Sequence, residues 1–176
     1  MITKRLFIVS TIVSMVLAVP ALAEDTVKIG LILPMTGPFA STGRQVEAGA
    51  RAYMALHGDK AGGKKIELVL RDDAGTADQT RRIAQELVVN DGVNILAGFG
   101  LTPLAMSVAP VLNQAKIPAI ITSATTSAIM KQSPYFVRTS MAGPQSAVPV
   151  ATWAVQNNLK RVVTLVSDYG PGIDIE

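Results

Sequence analysis

Residues 29–43 read IGLILPMTGPFASTG. An uncharged apolar run, 29–33, stops at Pro34 and gives way to Thr36-Gly37-Pro38 and Ser41-Thr42-Gly43. A short apolar run bounded by Pro and Gly has the pattern of a buried strand followed by a loop. Hydroxyls and glycines at a strand end can receive a phosphate, a nucleotide cofactor or a small carboxylate. The rest of the chain has to choose among them.

Working outward, the pattern alternates. The apolar stretch extends over 27–33, interrupted only by Lys28. Val46, Ala50, Tyr53, Met54 and His57 then recur near helical spacing over 43–57. Segment 66–70 predicts a strand and 77–89 a helix, with Ile83 and Leu87 on its inner face. Segment 94–97 predicts a short strand and 103–114 a helix. Pro103 falls in the first turn of that helix, where a missing N–H leaves no bond unmade. Strands are expected over 119–122 and 135–138. Alternating unbroken strands and helices predict an α/β fold, a parallel sheet covered by helices on both faces. Ligands of such sheets sit beyond the carboxyl ends of the strands, near the switch in strand order. The loops 34–42, 98–102 and 123–127 all lie at such ends.

Ala142-Gly143-Pro144 predicts a hinge or domain boundary. A helix is expected over 145–157, then a strand over 162–166 and a loop from Ser167 to Gly172. The chain reaches Glu176 just as a helix should begin, which predicts a longer parent protein.

At the other end, Lys4 and Arg5 precede an uncharged, mostly apolar stretch, 6–19, and then Pro20-Ala21-Leu22-Ala23. This is the layout of a secretory signal peptide cleaved after Ala23, and the stretch is short for a membrane span. Removing its two cations leaves 14 of the 16 Lys and Arg against 13 Asp and Glu. The basic residues are scattered, without aromatic interleaving, so nucleic acid is not expected as a partner. With no cysteine, the exported chain has neither disulfides nor a lipid-attachment site. A soluble protein of a Gram-negative periplasm is expected.

The local motifs divide between chemistry and plain structure. GDKAGGKK, 58–65, nearly matches a phosphate-binding loop. It ends in Lys rather than Ser or Thr, however, and it leaves a helix to enter a strand, the reverse of the required context. A polar turn is the better reading. Gly98-Phe99-Gly100 follows a strand, but Pro103 occupies the third glycine position of a dinucleotide fingerprint. Thr102 could either cap the helix opening at Pro103 or, with free amides there, hold a carboxylate. Ser123-Ala124-Thr125-Thr126-Ser127 is either a hydroxyl-rich turn or a second wall of that site. Asp72-Asp73 would point to opposite faces of a strand and has no neighbouring His or Cys, so capping or loop bonding is preferred over metal binding or catalysis. His57, the single histidine, stands at a helix end and in no triad setting.

Taken together, VKIGLILPMTGPFASTGRQVEAGARAY, IELVLRDDAGTADQTRRIAQELV, GVNILAGFG, ITSATTS, FVRTS and VVTLVSDYGPG resemble, in order and spacing, the N-terminal part of the branched-chain amino-acid-type periplasmic binding proteins, leucine-binding-protein-like solute receptors of ABC importers. The resemblance implies the type I bilobed fold, with a doubly wound parallel sheet in each lobe and the ligand trapped between them. Residues 24–141 would form an incomplete first lobe and 142–176 the start of a truncated second one.

It also implies site residues. Thr102 falls at the family's hydroxyl after the third strand, Ala124 where a backbone carbonyl faces the ligand, and Thr126 at the hydroxyl two residues on. Tyr169, in SDYG, matches the second-lobe tyrosine that closes over the ligand. Thr42 stands where some amino-acid binders have an aromatic residue, which leaves the ligand open between an amino acid and another small organic acid. The implied partners are that carboxylate and the ABC permease subunits in the membrane. No cofactor, metal or catalytic residue is implied. The competing classes are a sensor domain with the same fold and, with less support, a nucleotide-dependent enzyme.

Overall fold

The computed structural model describes residues 25–176, so the expected signal peptide lies outside the described residues. Strand β1 (Thr26–Leu33) runs at the centre of a six-stranded sheet. Helix α1 (Ala40–His57) follows and leads into the short β2 (Lys60–Ala61) and β3 (Lys64–Asp72). Then come α2 (Ala77–Val89), β4 (Ile95–Gly98), α3 (Thr102–Ala115) and β5 (Ala119–Ile121). A 3-10 helix (Ser127–Lys131), β6 (Phe136–Arg138), α4 (Gly143–Gln156) and α5 (Gly170–Ile175) complete the order.

The sheet order is β2-β3-β1-β4-β5-β6. All pairs are parallel except β2 with β3, an antiparallel hairpin. Its turn is Gly62-Gly63, with φ of 57° and 78°. Two successive positive φ values make the tight turn that matches strand twist. The phosphate-loop look-alike is therefore a hairpin turn, as its context predicts.

Side chains alternate across the sheet because successive strand residues point to opposite faces. Ile32, Leu96, Ile121 and Phe136 pack against α2, α3 and the 3-10 helix, with Ile83, Leu87, Val108, Leu112 and Ile129. Leu31, Leu33 and Ala97 face the other way, toward Val46 of α1. Helices thus cover both faces, as expected of a doubly wound sheet. The coverage is unequal. Among the described residues α1 is the helix on the second face, and a cavity of about 800 Å³ opens there among Ile29, Tyr53, Leu68, Ile120 and Thr139.

Three expectations change. Helix α1 starts at Ala40, so Ser41 and Thr42 belong to its first turn and the loop after β1 is only 34–39. Thr102 is the first residue of α3, and its hydroxyl does not cap the helix. The run 162–166 forms no strand, because no described strand lies beside it to complete a ladder. Val163 and Leu165 are 94% and 99% exposed there.

Candidate functional site: a threonine pair at the strand-order switch

From β1 the chain goes to β3 on one side, then returns to β4, β5 and β6 on the other. The switch point is therefore between β1 and β4, where the outgoing loops diverge and leave a crevice. Gly98, which ends β4, has φ +116°. A Cβ there would stand 2.1 Å from the Ile32 carbonyl oxygen. Phe99 follows with φ 66°, fully buried, and its amide donates to the same carbonyl at 3.0 Å. Gly98-Phe99-Gly100 thus serves close packing of β4 against β1 rather than a dinucleotide.

This packing delivers Thr102 to the rim. Its hydroxyl lies 2.7 Å from that of Thr126, and either can be the donor. Both residues are 4% exposed. Thr126 arrives on the loop after β5, which is fixed at several points. The Thr122 amide and hydroxyl both donate to the Gly98 carbonyl at 3.0 Å. The Arg138 guanidinium, at the end of β6, donates to the carbonyls of Thr125 and Thr126. The Gly143 amide donates to the Thr125 carbonyl at 3.0 Å. Ala124 is buried, and its carbonyl accepts from the Ser140 hydroxyl at 3.2 Å.

The far wall comes from the end of the chain. A Cβ on Gly170 would stand 3.0 Å from Thr102 Cγ2 and 3.1 Å from Thr126 Oγ1, so the backbone opening α5 rests directly on the threonine pair. Tyr169 precedes it, extended and 42% exposed. Asp174, one turn on, accepts from the Ser127 amide at 2.8 Å and the Ser127 hydroxyl at 2.9 Å.

The structure therefore brings Thr102, Ala124, Thr126 and the residue after Tyr169 to one place. It does not tie Thr42 to them. Thr42 is half-buried in α1, with its amide donating to the Phe39 carbonyl at 3.0 Å. His57 is at the opposite end of α1, stacked on Tyr53 with ring centroids 4.3 Å apart.

Asp72 and Asp73 take the loop-bonding role preferred from their spacing. Asp72 accepts from the amides of Met35 and Ala74, both at 2.8 Å, and from the Thr36 hydroxyl at 2.7 Å, fastening the loop after β1. Burial alone would raise its pKa. The Thr36 hydroxyl and the Ala74, Met35 and Thr36 amides outweigh that and hold it below the ordinary carboxylate value. Asp73 is fully buried under the start of α2 and bonds the Gly75 amide and Thr80 hydroxyl. Burial dominates there and raises its pKa, against those two bonds and reinforced by the charge of Asp72.

Chemically, the pair offers two hydroxyls able to turn their protons toward an anion. The Arg138 cation stands behind the loop, with its Nε buried and unpartnered among the described residues. Sequence reasoning passed over Arg138, Ser140 and Asp174. The signal for Arg138 is a cation closing an apolar strand in FVRTS, where a guanidinium has buried carbonyls to satisfy.

A doubly wound, mostly parallel sheet whose switch-point hydroxyls meet the segment 169–174 matches one lobe of the type I periplasmic-binding-protein fold. The chain belongs to the periplasmic binding protein family, which it matches over residues 26–176. It is 48% identical over 162 residues to the Leu/Ile/Val-binding protein homolog 6 of Brucella abortus (strain 2308), covering 91% of this chain and 41% of the relative. It also superimposes on an ABC-transporter solute-binding protein of Rhodopseudomonas palustris BisB5, solved with 3,4-dihydroxybenzoic acid. That match has a TM-score of 0.84 and 53% identity, over 86% of this chain and 42% of that one. An R. palustris solute-binding protein solved with 4-hydroxybenzoate gives a TM-score of 0.81 and 46% identity, over 86% and 41%. The chain thus spans well under half the length of these relatives.

Proposed function

We propose that this chain supplies the first lobe, 24–141, and the beginning of the second, 142–176, of a periplasmic solute receptor for an ABC importer. The protein binds a small carboxylate and delivers it to a membrane permease, and no bond is made or broken. The observation carrying this reading is the buried Thr102–Thr126 hydroxyl pair, set at the strand-order switch and covered by the backbone at Gly170. A ligand carboxylate would part the segment from the pair and take a hydrogen bond from each hydroxyl. The Ala124 carbonyl and Tyr169 would complete the enclosure, and exclusion of water would strengthen every bond inside it.

The proposed ligand is a hydroxylated benzoate. Supporting this is the greater than 45% identity to both R. palustris proteins solved with such acids. A branched-chain amino acid is the alternative favoured by the name of the Brucella relative. The export reading rests on the apolar stretch ending at Ala23.

The test is calorimetric titration of the protein, at its full natural length, with 4-hydroxybenzoate, 3,4-dihydroxybenzoate and leucine. The aromatic acids should bind at least roughly tenfold tighter than leucine, as expected when a site's polar groups are matched by one ligand and left unpaired by the other. Tighter leucine binding would overturn the ligand class. Failure of all three to bind would count against the carboxylate site itself.

A further inference from the structure

Among the described residues, Asp174 on α5 bonds its carboxylate to the loop bearing Thr126. It takes two bonds from a single residue, Ser127, through the amide at 2.8 Å and the hydroxyl at 2.9 Å. That amide opens the 3-10 helix and sits immediately after the ligand-facing threonine. From the other side, Arg138 holds the carbonyls of Thr125 and Thr126. The loop is thus gripped by a cation on the sheet and an anion on α5.

Three glycines show how closely the arrangement is fitted. A Cβ at Gly143 would meet Ile175 Cγ1 at 2.6 Å and Asp174 Oδ2 at 3.4 Å. One at Gly170 would press on both threonines, and one at Gly172 would stand 1.9 Å from the Ser167 carbonyl oxygen. The missing side chains at Gly143 and Gly170 let α5 reach the loop, and the one at Gly172 lets the segment 167–172 turn tightly enough to open α5. A rotation about 142–144 that opens the whole cleft carries Gly170 off the threonines and Asp174 away from Ser127 together, whereas a local shift of the Gly170 backbone that admits a ligand leaves the Asp174 bonds in place.

We infer that Asp174 is an interlobe latch: its paired bonds to Ser127 hold the cleft shut and couple closure to the position of Thr126. The inference rests on the two-lobe reading for its use, but not on the identity of the ligand. A latch of this kind acts on escape rather than entry. It must break before a seated ligand can leave.

Residues 1–176 contain no cysteine, so in the full-length protein, with any cysteine beyond them replaced by serine, two can be introduced for spin labels without interference. Gln85→Cys on α2 and Gln156→Cys at the end of α4 place exposed labels on either side of the hinge. Distance distributions are measured by pulsed electron resonance without ligand and with 4-hydroxybenzoate as probe. The wild-type background should show a short, narrow population. Asp174→Ala should broaden and lengthen it, whereas Asp174→Asn, which keeps an acceptor oxygen without the charge, should give an intermediate result. Ser127→Ala removes one of the two bonds and should also be intermediate, an arm that survives if Asp174→Ala folds poorly.

The exposed Asp168, replaced in Asp168→Asn, should leave the distribution unchanged. Probe dissociation should quicken roughly tenfold in Asp174→Ala, from the loss of charge-assisted hydrogen bonds, with the association rate unmoved. Distributions identical in wild type, Asp174→Ala and Ser127→Ala would overturn the latch, as would a wild type lacking the short population. Absence of probe binding with the distance shifts intact would overturn the proposed ligand and leave the latch standing.

Discussion

Ile121 in β5 and Val163 in the run 162–166 are both β-branched residues inside short apolar stretches, yet the first is fully buried and the second is 94% exposed. Their sequences do not explain the difference. AIIT and VVTLV have similar strand propensity, and the second is the longer run. What differs is company. β5 has β4 and β6 bonded on either side and α3 beneath it. The run 162–166 has α4 and the end of α5 around it, across an apolar cavity of about 600 Å³, and among the described residues no strand to pair with. Strand formation is mostly a property of the neighbours a segment can pair and pack with, and only weakly of the segment. Residues 26–139 supply those neighbours for themselves, and 143–176 do not.

The largest expected effect breaks or sharpens this contrast directly. Ile121→Ala should cost about 2–5 kcal/mol, the usual penalty for emptying a packed core site. In the 176-residue chain by itself, Leu165→Ala should change stability by less than about 0.5 kcal/mol, as for a surface position. Denaturant unfolding of both variants decides it, and comparable losses would mean that 162–166 is packed after all.

Somewhat smaller is the effect of crowding the β1–β4 contact. Gly98→Ala puts a Cβ 2.1 Å from the Ile32 carbonyl oxygen in a backbone conformation of φ +116°. About 2–4 kcal/mol should be lost. Gly49, within α1, has open space around it, and Gly49→Ala should gain about 0.5–1 kcal/mol instead. Thermal melts of the pair would show opposite signs.

Smallest, and distinguished by its pH dependence, is the carboxylate pair at the end of β3. The folded-state pKa of Asp72 is lowered, so its stabilising contribution is complete above the ordinary value of 3.8 and is lost as pH falls through the folded value. The folded-state pKa of Asp73 is raised, so its contribution is complete below 3.8 and is lost as pH rises through that raised value. Asp72→Asn should therefore cost about 1 kcal/mol near neutral pH, through weakened bonds to the 35–36 loop, and less in acid. Asp73→Asn should flatten the opposing slope. Unfolding measured across the acid range checks both signs, and parallel pH profiles for the two variants would contradict the assignment.

Much of the sheet region was legible because its signals were local. Helix α2 was expected over 77–89 and occupies Ala77–Val89, since Ile83 and Leu87 mark its inner face without competing breakers. β1 was misplaced by a single residue. Ser41-Thr42-Gly43 misled, because glycine and hydroxyls read as loop. Gly43 is there for close packing: a Cβ would stand 2.2 Å from the Pro34 carbonyl oxygen, a contact no local pattern reveals. Thr102 could not be resolved from spacing between capping and facing a partner, because the choice depends on Thr126, 24 residues away. The latch residues were invisible for the same reason, with Asp174 and Ser127 lying 47 positions apart. Residues that act across the fold announce themselves only when the fold is built.

The measurement closest to the proposed function is a crystal structure of the full-length protein with 4-hydroxybenzoate. The ligand carboxylate should lie within about 3 Å of both threonine hydroxyls, with the bond between Thr102 and Thr126 broken and Gly170 displaced to admit it. A carboxylate bound elsewhere, with the threonine pair still bonded to itself, would contradict the site.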